Sequence, residues 1–346
     1  MLGKKLRQGR NRVIAIFPYI QNIKNKRTFL VSIFLGKIPK KIEFKGGSIN
    51  TKSFDFDLLS TLLGAITYAT SYEIQDGKID LCYDTKNKFT INIEKLTHED
   101  RRLLELLFYA QRYGANFVTD NDINNFRDKT FRLSTVNGKK IIETSTGIRF
   151  YVDSIDARVF TETYVQKVHL INLNDDWRNK TVFDLGANYG DTALYYAQLG
   201  ATVYAIEAIK SIYEGMLRNL SINSKLPKKI SPINMTVRKF SYEVHKNYNL
   251  DGMREYTLEE TFEKLGITNI DLLKMDCKGC EFGLTKKVLE KVNRIKIEYK
   301  ADDSSHRLVD LIKLLENAGF KTMIYRLSPI NTNSNTTFGL IYGFSR

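Results

Sequence analysis

Four carboxylates in the second half of the chain each stand where a short apolar run ends: Asp184, Glu207, Asp276 and Glu298. An acid at the tip of a strand can accept ribose hydroxyls, hold loop amides or take a proton from a substrate hydroxyl. Between the first two acids lies DLGANYGD, residues 184–191, followed by a helical pattern over 192–199 and a second apolar run over 202–206. Strand, glycine turn, helix, strand, acid is the opening half of a nucleotide-type α/β fold. Gly186 and Gly190 allow the chain to turn sharply while its backbone stays close to a ligand.

The loop spacing is Asp-x-Gly-x-x-x-Gly, not the Gly-x-Gly-x-x-Gly that seats a pyrophosphate on a helix N-terminus. It points to a ligand with an adenosine and no pyrophosphate, and S-adenosylmethionine is the obvious candidate. Glu207, seventeen residues past Gly190, is placed for the ribose. Asp184 could accept from loop amides or from the amino group of the methionine moiety. Ala187 and Asn188 lie inside the loop and join the expected cofactor-binding set, although Asn188 and Tyr189 could simply shape the turn.

Methyl transfer to oxygen gains from a general base or a metal, because a neutral hydroxyl is a poor nucleophile. Asp276, Glu281, Glu298 and His306 are the candidates, His306 lying in the polar stretch ADDSSHR. The acids could instead hold a divalent cation through oxygen ligands, but no metal is predicted. Cys277 and Cys280 have the C-x-x-C spacing of zinc and redox sites. One pair cannot fill a tetrahedral site, so they read as small residues packing the loop after a strand.

The elements that must position these residues follow from periodicity. After Glu207, helices are expected over 213–223, 258–265, 282–292 and 308–318, and strands over 235–237, 270–275 and 295–299. Residues 227–232 read as a basic, proline-bearing turn. Runs 321–327 and 337–344 read as a terminal hairpin pair. The result is an open, doubly wound, mostly parallel α/β sheet with an antiparallel edge.

The first half reads as mixed α+β. Residues 54–70 and 98–113 are helical, with Thr97 and Asp100 as cap and partner of the second helix. Runs 78–83 and 89–93 alternate as a hairpin, and 131–133, 140–143 and 149–152 are expected strands. Runs 13–20 and 29–35 fit a strand or an amphipathic helix equally well. Two domains are expected, 1–160 and 161–346.

At 346 residues, with 42% hydrophobic and 27% charged residues, the composition is that of an ordinary soluble protein. No apolar run reaches membrane-span length; residues 58–69 are interrupted by Ser60, Thr61, Gly64 and Thr67. Three cysteines make no disulfide framework, so a reducing, cytoplasmic location is the expectation. The net charge of +14 is concentrated: residues 1–45 hold twelve Lys or Arg and one acid, Glu43. That asymmetry fits a solvated arm or contact with an anionic partner. An anionic membrane surface with the protein peripheral to it is preferred to nucleic acid, since stacking aromatics are not clearly interleaved.

VFDLGANYGDTALYYAQLGATVYAIEA, then IDLLKMDCKGCE, then IKIEYK with LIKLLENAGF, resembles the FkbM-type S-adenosylmethionine-dependent methyltransferases over about residues 165–327. The resemblance implies a class I methyltransferase fold and methyl transfer, commonly to a sugar or other hydroxyl. It implies Asp184, Gly186, Gly190 and Asp191 around the cofactor, Glu207 on its ribose, and Asp276, Gly279 and Glu281 near the reacting centre. Two positions depart from the family pattern: Lys278 stands where an acid is usual and Lys300 where a histidine is usual. Lys300 could serve as base only if desolvated, with a lowered pKa.

The expected function is therefore an O-methyltransferase acting on a glycan, lipid-linked sugar or related small acceptor. An RNA methyltransferase using the basic N-terminal region is the alternative. A non-enzymatic scaffold with a methyltransferase-like fold is a third, disfavoured because Asp184 and Glu207 are both present. Oligomeric state is not legible.

Overall fold

A computed structural model of the chain describes residues 2–83, 87–119, 128–169, 175–237, 254–277, 279–301, 307–327 and 337–345. Two units emerge, Met1–Gln166 and Lys167–Arg346.

In the first unit the two ambiguous runs are helical. Helix α1 (Leu2–Ile16) and α2 (Lys26–Phe34) bury Gly9 and Ile16, and Phe29 and Ile33, at the spacings of one helical face. A two-stranded ladder follows, β1 (Lys41–Phe44) with β2 (Gly47–Asn50). Helix α3 (Phe56–Tyr68) starts at Asp55, whose side chain accepts from the amide of Leu58. Strands β3 (Ser71–Gln75), β4 (Lys78–Cys82) and β5 (Lys88–Asn92) form an antiparallel meander, of which the last two are the expected hairpin.

Helix α4 (His98–Arg112) begins with the reciprocal Thr97–Asp100 cap. It packs so tightly on α3 that a Cβ on Gly64 would collide with the ring of Phe108, which explains a glycine inside a buried helix. Strands β6 (Asn116–Thr119), β7 (Thr130–Val136), β8 (Lys139–Thr144) and β9 (Arg149–Tyr151) make a second sheet, and α5 (Ala157–Tyr164) closes the unit.

The second unit is built on one seven-stranded sheet. In chain order its elements are β10 (Thr181–Leu185), α6 (Asp191–Gln198), β11 (Thr202–Glu207), α7 (Lys210–Ser221) and β12 (Ile230–Asn234). The short parallel pair β13 (Thr236–Val237) and β14 (Glu255–Tyr256) follows, then α8 (Leu258–Lys264) and β15 (Leu272–Met275). Last come α9 (Lys286–Leu289), β16 (Arg294–Ala301), α10 (Leu308–Asn317), β17 (Phe320–Leu327) and β18 (Thr337–Ser345).

The strand order is β12-β11-β10-β15-β16-β18-β17, parallel throughout except that β18 runs antiparallel to both neighbours. The expected doubly wound sheet is present, and the terminal pair does join as a hairpin. Its last strand inserts between β16 and β17 instead of extending the edge.

Three sequence expectations are corrected. The third parallel strand is β12, Ile230–Asn234, where a turn was expected, and of the strand expected over 235–237 only Thr236–Val237 is extended, in a separate short ladder. Pro232 fits within β12 because this strand is an edge, where a missing amide donor is tolerated. The helix expected over 282–292 is broken: a 3-10 turn at Cys280–Gly283 gives way to extended Leu284, and Thr285 caps the short α9.

Alternation sorts the sheet faces. Phe183, Leu185, Leu273, Met275, Ile295 and Ile297 point to one side, into a core with Phe262 of α8, Val288 of α9 and Leu315 of α10. The other side carries Asp184, Lys274 and Lys296, which the register places in one row across β10, β15 and β16.

Candidate active site

The strand order reverses between β10 and β15, and open α/β sheets bind ligands in the crevice at such a point, beyond the carboxyl ends of the strands. The glycine loop leaves β10 there. The amides of Gly186 and Ala187 both donate to the carbonyl of Ile206, at 3.0 and 2.9 Å, so the loop is tied across to the end of β11. Gly186 has φ +78°, and a Cβ there would collide with the carbonyl oxygen of Asp276. Asp276 in turn donates its amide to the carbonyl of Leu185 at 2.9 Å. The ends of β10 and β15 are thus in backbone contact, which is possible only with glycine at position 186.

Gly190, with φ +85°, starts α6, and Asp191 is buried in its first turn, where the helix dipole favours an anion. Asn188 adopts the left-handed region without being glycine, at φ +50°. Its amide donates to Glu207 Oε2 at 3.0 Å, while its side-chain Oδ1 is buried with no hydrogen-bond partner among the described residues. Glu207 Oε1 accepts from the amide of Ile209 at 2.9 Å. Burial pushes the Glu207 carboxyl up, and those two amides oppose the rise. Asn234, on the neighbouring strand, donates its Nδ2 to the carbonyls of Glu207 and Ala208 and fixes the tip of β11.

Asp184 is fully buried, and Lys274 Nζ reaches its Oδ1 at 2.7 Å. The same ammonium donates to the carbonyl of Gly186 at 3.0 Å, so one cation anchors the acid and the loop. Burial disfavours the charge on Lys274, but Asp184 and Asp276 outweigh it and hold the lysine above its ordinary value. Burial likewise pushes the Asp184 carboxyl up, with Lys274 pulling against it.

Behind this pair lies a third buried charge. Lys296, opposite Lys274 in register, meets His169 Nδ1. Burial first, then Lys296 and Lys274, hold His169 well below the usual histidine range. A neutral ring with Nδ1 accepting from an ammonium carries its proton on Nε2. Tyr196 Oη donates to the carbonyl of His169, and Tyr342 Oη to that of Val168, pinning this segment over the sheet.

The residues proposed from sequence for the cofactor, Asp184, Gly186, Ala187, Asn188, Gly190, Asp191 and Glu207, all lie at this one crevice. Of the expected catalytic candidates, Asp276 follows β15 and is half-buried. Glu281 is fully buried, Oε2 accepting from the amide of Gly279 at 2.6 Å and Oε1 from that of Lys300 at 3.2 Å. Glu298 is half-buried on β16. The desolvation a lysine base would need is missing at Lys300, whose side chain is exposed. His306 and Lys278 lie outside the described residues.

Cys277 and Cys280 do pack in the core beneath the loop, but they are joined by a disulfide, which the expected reducing setting did not anticipate. Their sulfurs and the Glu281 carboxylate lie within 4.8 Å of one another. While bonded, the sulfurs are not thiolates and offer no metal ligand. Among residues the sequence did not single out, Lys274 carried a legible signal: a lysine within the apolar run LLKM, buried between β10 and β16. Lys296 and His169 carried none without the register that joins them.

Residues 184–322 match the family model described as the methyltransferase FkbM domain, and this stretch of the second unit is an FkbM-type methyltransferase domain. No curated protein matches the chain. Among solved structures, the chain is similar to M. jannaschii TYW2 in complex with AdoMet, at 16% identity and TM-score 0.36, covering 62% of this chain and 86% of that one. It is also similar to magnesium protoporphyrin IX methyltransferase from Synechocystis PCC 6803 with bound SAH, at 11% identity and TM-score 0.37, covering 55% and 85%. A precorrin-6y C5,15-methyltransferase from Geobacter metallireducens GS-15 has 13% identity and TM-score 0.34, covering 53% and 88%.

Proposed function

We propose that this methyltransferase domain uses S-adenosylmethionine and methylates a hydroxyl of a glycan, lipid-linked sugar or related small acceptor. The observation that carries the cofactor reading is the pairing of Glu207 with the glycine loop at the sheet's reversal point. The donor set fits the group: a carboxylate at the tip of β11 suits two ribose hydroxyls, and the unpartnered Asn188 Oδ1 supplies a further buried acceptor. Bound there, the cofactor supplies a methyl carbon made electrophilic by its sulfonium.

The chain's own residues do the remaining work. Lys274 fixes Asp184 and the Gly186 carbonyl, so the loop is organised before any ligand arrives. Glu281, with both oxygens on backbone amides, holds the turn after Asp276 in shape. Asp276 is assigned the proton of the acceptor hydroxyl, since it ends β15 against the glycine loop and is not fully buried. Glu298 remains the alternative base, and neither role needs Lys300.

The FkbM match supports methyl transfer; the sugar or other hydroxyl is the acceptor class that the sequence resemblance implies. The test is transfer of a labelled methyl group to a panel of glycans, lipid-linked sugars and RNA. Label in the first two, lost in Asp276→Asn with cofactor binding retained, supports the reading. Label in RNA alone would replace the acceptor and leave the cofactor assignment standing.

A further inference from the structure

Five of the thirteen large hydrophobic side chains exposed among the described residues fall between positions 14 and 35: Ile14, Phe17, Val31, Phe34 and Leu35. They are not scattered. In α1 and the turn after it, exposed Arg10, Ile14 and Phe17 follow one another at steps of four and three residues. In α2 and its cap, exposed Arg27, Val31 and Leu35 recur at steps of four on the side away from buried Phe29 and Ile33, while the Phe34 ring lies partly against Gly9 of α1. Each helix therefore presents an outward strip that begins with an arginine and continues in apolar side chains. The two helices are packed together, for a Cβ on Gly9 would collide with the carbonyl oxygen of Phe34.

Phe17 is 60% and Leu35 65% exposed, which is costly for a surface with no partner. The charge around them says which partner. Residues 1–45 hold twelve Lys or Arg against Glu43 alone, and Lys24, Lys26 and Lys37 are exposed beside the strips. Basic residues flanking exposed aliphatic and aromatic side chains on paired helices have the pattern of interfacial membrane helices. Nucleic acid would use the charge but not the aliphatic members, since Ile14, Val31 and Leu35 offer no ring on which a base can stack.

We propose that α1 and α2 dock the protein on an anionic lipid surface, the strips entering the headgroup layer and the surrounding lysines and arginines facing lipid phosphates. The inference stands apart from the methyl-transfer reading, because docking needs neither cofactor nor acceptor.

The test is flotation of the full chain with vesicles of phosphatidylcholine alone or mixed with phosphatidylglycerol. The chain should float with the anionic vesicles only, and raised salt should weaken binding without abolishing it, since the apolar part is not screened. Phe17→Ser with Leu35→Ser should lower partitioning by at least about tenfold, and Arg10→Glu with Arg27→Glu should lower it as well. All four sites are exposed, and unchanged thermal unfolding verifies that each variant is folded. Failure to float, or flotation of the apolar variant like the wild type, would overturn the proposal. Displacement from vesicles by a single-stranded RNA oligonucleotide that binds the apolar variant undiminished would overturn it in favour of nucleic acid.

Discussion

Asp184 and Lys274 face each other on neighbouring parallel strands, Oδ1 to Nζ at 2.7 Å, with almost no solvent on either side chain. The lysine also holds the Gly186 carbonyl, so the pair is at once a sheet contact and the anchor of the glycine loop. Removing one partner leaves a buried charge without its directly bonded counterion. Lys274→Met should therefore cost about 3–5 kcal/mol of stability. Asp184→Asn combined with Lys274→Met should recover part of that loss while leaving the loop weakly held. Urea unfolding of the single and double variants measures the coupling; equal stability of Lys274→Met and wild type would show that the pair is not formed.

His169 gives a pH signature with a definite sign. The buried ring is held below its ordinary value of 6.5 by burial and by Lys296 and Lys274, so the unfolded chain binds the proton that the folded chain refuses. Its contribution is complete above about pH 6.5 and is lost as pH falls towards the folded value, by up to about 1.4 kcal/mol per pH unit. His169→Gln should flatten this part of the stability profile between about pH 6.5 and 5. Parallel profiles for variant and wild type would contradict a neutral, buried His169.

Gly186→Ala combines a positive φ with a collision against the Asp276 carbonyl. A destabilisation well above about 1 kcal/mol is expected, together with loss of cofactor affinity, because the end of β15 must move. Gly114→Ala, also at positive φ but with no atom nearby, separates backbone strain from the collision. Equal losses in the two variants would remove the collision from the account.

The Cys277–Cys280 bond is tested by chemistry alone. Protein denatured without reductant should take up alkylating agent at Cys82 and not at the bonded pair. After reduction, all three cysteines should be modified, read by intact mass. Three modifications without reductant would show the pair to be free thiols.

Much of the site was legible because it is local. The run 184–191 names its own turn, and Glu207 is found by counting to the end of the next strand. Failures arose where a tertiary partner decided the outcome. Pro232 reads as a turn until the strand is known to be an edge. The repeat over 282–292 reads as one helix until Gly283 and the Thr285 cap divide it. Lys296 and His169 are distant in sequence and meet where Tyr196 and Tyr342 hold the 168–169 segment over the sheet. The runs at 13–20 and 29–35 hold enough apolar residues for strand or helix, and only packing of Gly9 against α2 chooses.

The methyl-transfer proposal rests on Glu207 and the glycine loop forming a cofactor site. Its decisive experiment is calorimetric titration of the full chain with S-adenosylmethionine, wild type against Glu207→Gln. The variant keeps an oxygen for one loop amide and loses the carboxylate charge, worth about 1.5–3 kcal/mol for a charge-assisted contact. Saturable binding that weakens about tenfold or more in the variant is the predicted result. Absence of binding by a folded wild type freed of carried-over ligand, or equal affinity in the two proteins, would contradict it.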